Sequence, residues 1–565
     1  MLYLLLMFSI QLLSHLVLGI MVQRNNLDLT EVPDDIPLNT TTLILDGNLL
    51  EDVNTTALQG RPIQLLSLRR NRFREFPNLL ILNETLDILL LRNNLIRSIP
   101  KSVLDGFQCL TQLALDYNNM VEFPDLGPIG GTLHILTVSY NQLHYLNPLY
   151  LANLTVLNNL RLNNNNFRKL PNVTDIADTI INLYISGNPL DDKNEMPTWL
   201  LSMQFSNIHD ADFAYLSLTS FPALGPSCAS LRAYFLSHNS ITEVKAEDVE
   251  HCSSLSTFKM SNNQLTSFPN ISSVGPTLKE LTLANNHLPL VPPEILHSLV
   301  ALETIDLTGN MLVTVPDFAT SNVLRELRLS DNAISYIAPN LLKYLQSLKI
   351  LQLSNNILID MPNVLMAELT DLDLSSNSFL DIPPLTKLGQ NLINLNLADN
   401  IGITSFQNTD LSNLQALKRL RLEGTSITTL SQFTNLAQLQ YLFLSTMSSP
   451  TPIESISPFA MSSFGNLTEL HLENTLIKHL PSICDETPPN MYLAGNLHLD
   501  ICNPDMAWLK HPGFTVHVTA KECPNGEMWH DASFTDLLNS LPLELQKTGT
   551  VHGKFLFIYI FSLSG

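Results

Sequence analysis

Basic residues are scarce in this chain: 30 lysines and arginines stand against 52 aspartates and glutamates in 565 residues, a formal net charge of −22. That balance argues against a nucleic-acid backbone or an anionic membrane as the main ligand. It suits cationic partners or uncharged protein surfaces, and solubility alone also accounts for it. Charged residues of either sign are few, 15% in all. Beyond residue 20 no run reaches the roughly 18 to 20 apolar residues of a spanning helix. The apolar tail at residues 555–561 (FLFIYIF) is too short, and reads as a truncated span, a weak lipid-anchor signal or a mis-assigned end of the gene. Catalytic patterns are missing as well: there is no H-E-x-x-H, C-x-x-C, G-x-S-x-G or calcium loop. Residues 549–554 (GTVHGK) fall one residue short of a phosphate-binding loop. The chain therefore reads as a non-enzyme with no cofactor and no resident metal.

What the chain has in abundance is one phrase. A leucine-type residue, two others, L-x-L, two more and then usually Asn recurs twenty times, as in residues 110–118 (LTQLALDYN), 278–286 (LKELTLANN) and 348–356 (LKILQLSNN). The closing slot falls at 48, 71, 94, 118, 141, 165, 188, 216, 239, 263, 286, 310, 332, 356, 377, 400, 425, 447, 475 and 496. Leu216, Thr425, Met447 and Thr475 replace Asn at four of these. A period of about 24 residues on this phrase is that of a leucine-rich repeat, in which stacked coils share one core. The expected fold is an α/β solenoid, a horseshoe of about 20 coils with parallel strands on the concave face. The L-x-L leucines point inward from each strand, and the slot Asn bonds the backbone of adjacent turns. Leu216 and Met447 cannot do so, which predicts local irregularity. Pro recurs six residues past the slot, at 77, 100, 124, 171, 222 and onward to 481. It fixes φ and removes a donor, so the convex segments should be extended, polyproline-like or short helical.

The two ends carry more specific signals. Residues 1–19 are apolar and end in small residues like a secretory leader, though no Lys or Arg precedes the apolar run. Seven sequons, at Asn39, Asn54, Asn83, Asn153, Asn172, Asn270 and Asn466, accord with entry to the secretory pathway. Cys228 and Cys252 share one phase, eleven residues before their slots, where other coils carry leucine. Equivalent positions of adjacent coils lie within disulfide range, so these two are either bonded or buried as small hydrophobes. Cys109 and Cys484 have no evident partner.

Residues 495–509 (GNLHLDICNPDMAWL), followed by Cys523 and Pro524, resemble the C-terminal flanking cap of extracellular leucine-rich repeat proteins. In that family the pattern is C-x-C-x-x-x-W-L, then C-x-x-P, then a fourth cysteine, paired first to third and second to fourth. Cys502 matches the first cysteine, with Trp508 and Leu509 at the right distance. Pro504 stands where the second belongs, and no cysteine follows Cys523. The resemblance thus implies a Cys502–Cys523 disulfide closing the end of the solenoid. Residues 29–48 look like the segment after an N-terminal cap, but without its cysteines. Either the cap is cysteine-free or the true start lies elsewhere. The expected organisation is a leader at 1–19, a cysteine-free cap at 27–47, repeats at 41–496, a C-terminal cap at 497–540 and a tail at 541–565.

With no chemistry in view, function falls to the strand residues six, four and two before each slot. Ile44, Leu65, Ile88 and Leu90 form an apolar patch, to be covered by the cap or a glycan or to bind a partner. Tyr184 and Phe235 flank Asp210 and Asp212, and an acidic strip runs through Glu280, Asp306, Glu326, Asp371 and Asp373. His471 between Glu469 and Glu473 is a metal candidate of the kind usually found on solvated faces. Arg419, Arg421, Tyr441 and Phe443 combine residue types enriched at binding hot spots, and with Tyr184, Asp212 and Phe235 they are the candidate ligand-binding residues. Two 28-residue steps, inserting within 191–210 and 448–464, flank both groups. The reading is a secreted or cell-surface protein, of the kind found in adhesion, matrix or innate immune recognition, that binds another macromolecule through its concave face. A structural matrix component or a protein inhibitor is the alternative.

Overall fold

A computed structural model of the chain describes residues 19–529, apart from 105, 192–204, 384, 386, 388–390, 406–410, 412–413, 431–435, 446–452, 458–465, 482–489, 504–505, 507–508, 510–514, 519–520 and 523–527. The leader, Met447, most of both long insertions, Cys484, Cys523 and the tail lie outside the described residues.

The chain divides into two compact units, residues 1–310 and 311–565. In the first unit, twelve short strands follow one another from Thr40–Ile44 to Thr304–Asp306, one per repeat, each parallel to its sequence neighbours. A strand the phrase does not announce, Ile20–Gln23, pairs in parallel with Thr40–Ile44 at the start. In the second unit the strands run from Glu326–Arg328 to Asn490–Tyr492, and Val516–His517 adds a further parallel strand. Most strands have three residues, each six, five and four before its slot. The middle one is buried and, from the sixth repeat strand on, the outer two are exposed or half-buried, the alternation a pleated strand imposes; Ser67, Leu90, Ala114 and Thr137 in the early strands are buried as well. Leu281, Leu351 and Leu420 occupy such middle positions and are fully buried. The return segments contain short 3-10 stretches and single α-turns, some opened by proline, as in Pro293–Leu296 and Pro339–Leu342. Each unit is a leucine-rich repeat solenoid.

Between strand and return segment runs the asparagine ladder. Asn286 donates to the Leu283 carbonyl of its own coil (3.0 Å) and to Met260 of the coil before (3.1 Å), and its amide oxygen accepts from the backbone N–H of Leu265 (3.0 Å). Asn71, Asn94, Asn118 and Asn141 repeat this triplet, and all are buried. Each coil thereby satisfies one inward N–H and one inward carbonyl, the carbonyl accepting from the asparagines of two successive coils.

Substituted slots solve the problem differently. Leu216 is fully buried, and the Leu190 N–H of the preceding coil turns back to its own Asn188 carbonyl (3.0 Å) instead of reaching the slot. Thr425 keeps the bond to its own coil, Oγ1 to the Leu422 carbonyl at 2.8 Å. Among the described residues, the one before each slot has a positive φ, 51° to 58° where it carries a side chain and 66° to 74° where it is Gly. Gly, Asn, Asp or Ser fills most of these positions, where a side chain is tolerated least or can bond locally. Arg70, Tyr117, Tyr140, Tyr215 and His238 are exceptions.

Cys228 and Cys252 are bonded, with their Cα atoms 4.5 Å apart on successive coils. Cys502 is also disulfide-bonded, with its partner outside the described residues, and Cys109 is a free, exposed thiol.

Replacing Asn286 by Ala removes three hydrogen bonds: the Leu265 N–H loses its partner, and the Leu283 and Met260 carbonyls each keep one amide donor, from Asn310 and Asn263. Denaturant unfolding should show a loss on the order of 3 kcal/mol, whereas the same change at the exposed Asn25 should cost little. Removing the Cys228–Cys252 bond should lower stability by about 3 kcal/mol, read the same way.

Candidate functional site

Parallel pairing without register shift turns each strand position into a column running from coil to coil. In the second unit, Arg419 pairs with Tyr441 and Arg421 with Phe443 across one strand step. Both guanidinium groups lie over the paired rings, 4.8 Å from the Tyr441 centroid and 5.3 Å from that of Phe443, a favourable cation–π placement. Both arginines are exposed. Arg421 is also held by Glu423, its Nε donating to Oε1 at 2.6 Å. The four candidate residues of this unit therefore form one cluster on the outward face of the sheet.

The cluster extends beyond them. Phe443 stacks on His471 with ring centroids 4.5 Å apart, His471 on Tyr492 at 4.1 Å, and Tyr492 on His517 at 4.5 Å. One guanidinium and four rings thus occupy the same strand position in five successive strands. Two of these residues were not among the expected candidates: Tyr492, four before the slot at 496, and His517, in a strand outside the repeat phrase. His471 hydrogen-bonds Glu473 through Nδ1 (3.0 Å) and Glu469 through Nε2 (3.4 Å). Burial pulls its pKa down, but the hydrogen bonds and charges of Glu473 and Glu469 outweigh this and hold it above the ordinary value. Among the described residues no group of three His, Cys, Asp or Glu is placed to hold a metal ion. Of the adjoining insertion, residues Ser455–Ile456 form a two-residue parallel ladder with Thr429–Leu430 on the return side.

In the first unit, Tyr184, Asp212 and Phe235 are brought together on successive strands, Asp212 paired with each of the others. Arg161 lies over the Tyr184 ring, 5.0 Å from its centroid, and the Tyr184 hydroxyl donates to Asp210 (3.2 Å). The apolar patch expected at the first coils is largely covered: Leu90 is buried, and Ile44, Leu65 and Ile88 are half-buried. The neighbouring strand Ile20–Gln23 sets Gln23 beside Ile44. The acidic strip is partly neutralised in place. Glu280 pairs with Lys259 (2.6 Å), and Glu326 accepts from Arg328 Nε (2.8 Å). All seven sequon asparagines are exposed or half-buried.

The leucine rich repeat family model matches residues 276–334. No curated protein matches the sequence significantly. Among solved structures, YopM of Yersinia enterocolitica is similar at 23% identity and TM-score 0.56, over 83% of this chain and 90% of that one. A TDR receptor is similar at 20% identity and TM-score 0.53, over 92% of this chain and 91% of its own. A leucine-rich repeat protein of Leptospira interrogans is similar at 24% identity and TM-score 0.52, over 60% of this chain and 90% of that one. These likenesses show the fold. Among the described residues, no helix is long and apolar enough to cross a membrane.

Because the folded pKa of His471 lies above 6.5, its protonated form contributes stability that is complete below pH 6.5 and is lost as the pH rises through the raised value. The thermal midpoint of the native chain minus that of His471→Gln should therefore shrink between about pH 5.5 and about pH 8. A constant difference contradicts the assignment.

Proposed function

We propose that this leucine-rich repeat solenoid is a secreted or cell-surface protein that binds another protein through the outward face of its strands, with Arg419, Arg421, Tyr441 and Phe443 as the principal contact. The observation that carries this reading is the ordered cation–π and ring column of the second unit. Its side chains are held in place by their neighbours, so little rotamer entropy is lost when a partner settles on them. Arginine and tyrosine are also the residues that most often dominate interface energetics. In this reading the role is recognition: the geometry repeated from coil to coil supplies an extended surface. Secretion is supported by the apolar leader and by the accessible sequons.

An interaction screen of the secreted chain against extracellular proteins tests the proposal. A partner found there should bind at least 10-fold more weakly to Arg419→Glu/Arg421→Glu, with the unfolding midpoint unchanged. Full retention of binding by that variant assigns the contact to another surface.

A further inference from the structure

The first unit carries a groove of about 650 Å³ beside the strand face, walled by the residues that precede the slots. Tyr117 and Tyr140 stack at one end, with centroids 4.1 Å apart and planes within 8°. Tyr215 and His238 stack at the other, at 4.0 Å and 9°. Between the two stacks the wall is cut away, because the same position holds Asn164 and then Gly187. Tyr140 and Tyr215 are three strand steps apart, about 14 Å. Their flat faces therefore border a slot wide enough for a side chain and its flanking backbone.

The four ring residues adopt φ between 55° and 58°, a region the other described coils fill with Asn, Asp, Ser or Gly, apart from Arg70 in the second coil. A bulky side chain there is strained against its own backbone, and such strain tends to collect at functional sites. The three tyrosines are also 45–55% exposed, so burial within the chain does not repay it.

The floor is polar and fixed. Ser186 Oγ (2.7 Å) and Asn163 Nδ2 (3.0 Å) both donate to Asp212 Oδ2, and the Ala214 N–H donates to Oδ1 (3.2 Å). Burial raises the Asp212 pKa against these three hydrogen bonds, and no basic side chain among the described residues forms an ion pair with it. The other charges nearby are accounted for. Arg92 is taken up by Asp116 (Nε to Oδ2, 2.7 Å), and Arg161 lies on the Tyr184 ring, whose hydroxyl is bonded to Asp210. Counting Asp116, Asp210 and Asp212 against Arg92 and Arg161 leaves one negative charge. A partly desolvated carboxylate without a counter-ion, set between aromatic faces, is complementary to a cation.

We propose that this groove receives a basic side chain, an arginine or lysine on an extended segment of a protein partner, with Asp212 as counter-ion and the faces of Tyr140 and Tyr215 as walls. The proposal deepens the reading of the strand side as a binding side, and rests on residues of the first unit alone.

The full-length chain titrated with a tri-arginine peptide by calorimetry provides the test. Saturable binding is expected. It should weaken at least 10-fold in Asp212→Asn and in Tyr215→Ala, and less than 2-fold in Asp34→Asn, which removes the same charge from an exposed site of the same unit. Tyr215→Phe keeps the ring face and should retain binding, which separates recognition from a folding defect. Affinity should fall as the pH is lowered through the raised Asp212 pKa, because protonation removes the counter-ion. Equal losses in Asp212→Asn and Asp34→Asn would reduce the effect to bulk charge and overturn the proposal. So would saturation of the groove by neutral chitotetraose with no response to the peptide. Arg419→Glu/Arg421→Glu should leave this titration unchanged, so the two binding readings fail independently.

Discussion

The bond from a buried asparagine side chain to the backbone of two successive coils is the constraint on which the other features rest. A solenoid coil ends its strand with a sharp outward turn, and the turn leaves carbonyls and N–H groups inside. One amide, with two donors and an acceptor, closes the account for its own coil and the one before it. Because each asparagine reaches backward by one repeat, the coils are fixed in register as well as in contact. A slipped strand would lose three hydrogen bonds and turn its leucines outward at once.

Fixed register has a second consequence. Every position in the phrase becomes a straight column along the sheet, so residues about 24 apart in sequence become stacked neighbours. Arg421, Phe443, His471, Tyr492 and His517 are aligned by this rule. So are the Tyr117–Tyr140 and Tyr215–His238 pairs of the first unit, one position before the slot. The solenoid makes such columns cheaply, since the backbone already holds the spacing near that of stacked rings. Where they occur, the coil departs from its consensus: polar or small residues would serve the fold at least as well.

Much of this was legible from residue order. The slots gave the strand positions, the inward leucines and the asparagine ladder, and pairing Arg419 with Tyr441 needed only the register. The tyrosines at 117, 140 and 215 were equally available, as bulky residues in a column held mostly by Asn, Gly, Asp and Ser. They went unread because the left-handed turn that makes that column special has no consensus letter of its own. The strands Ile20–Gln23 and Val516–His517 were missed for a different reason. Each joins the sheet by backbone pairing to a neighbour and carries no L-x-L phrase. The acidic strip was visible in sequence, but its partial neutralisation by Lys259 and Arg328 depends on side-chain reach.

The central claim is that the outward strand columns, and not the return segments, form the contact surface. Side-chain oxidation footprinting of the full chain, alone and bound to a captured partner, tests it most directly. The account predicts protection of Tyr441, Phe443 and Tyr492, with exposed return-side residues such as Tyr336 and Tyr344 modified at the same rate in both states. Protection of Tyr336 and Tyr344, with the strand columns unchanged, would contradict it.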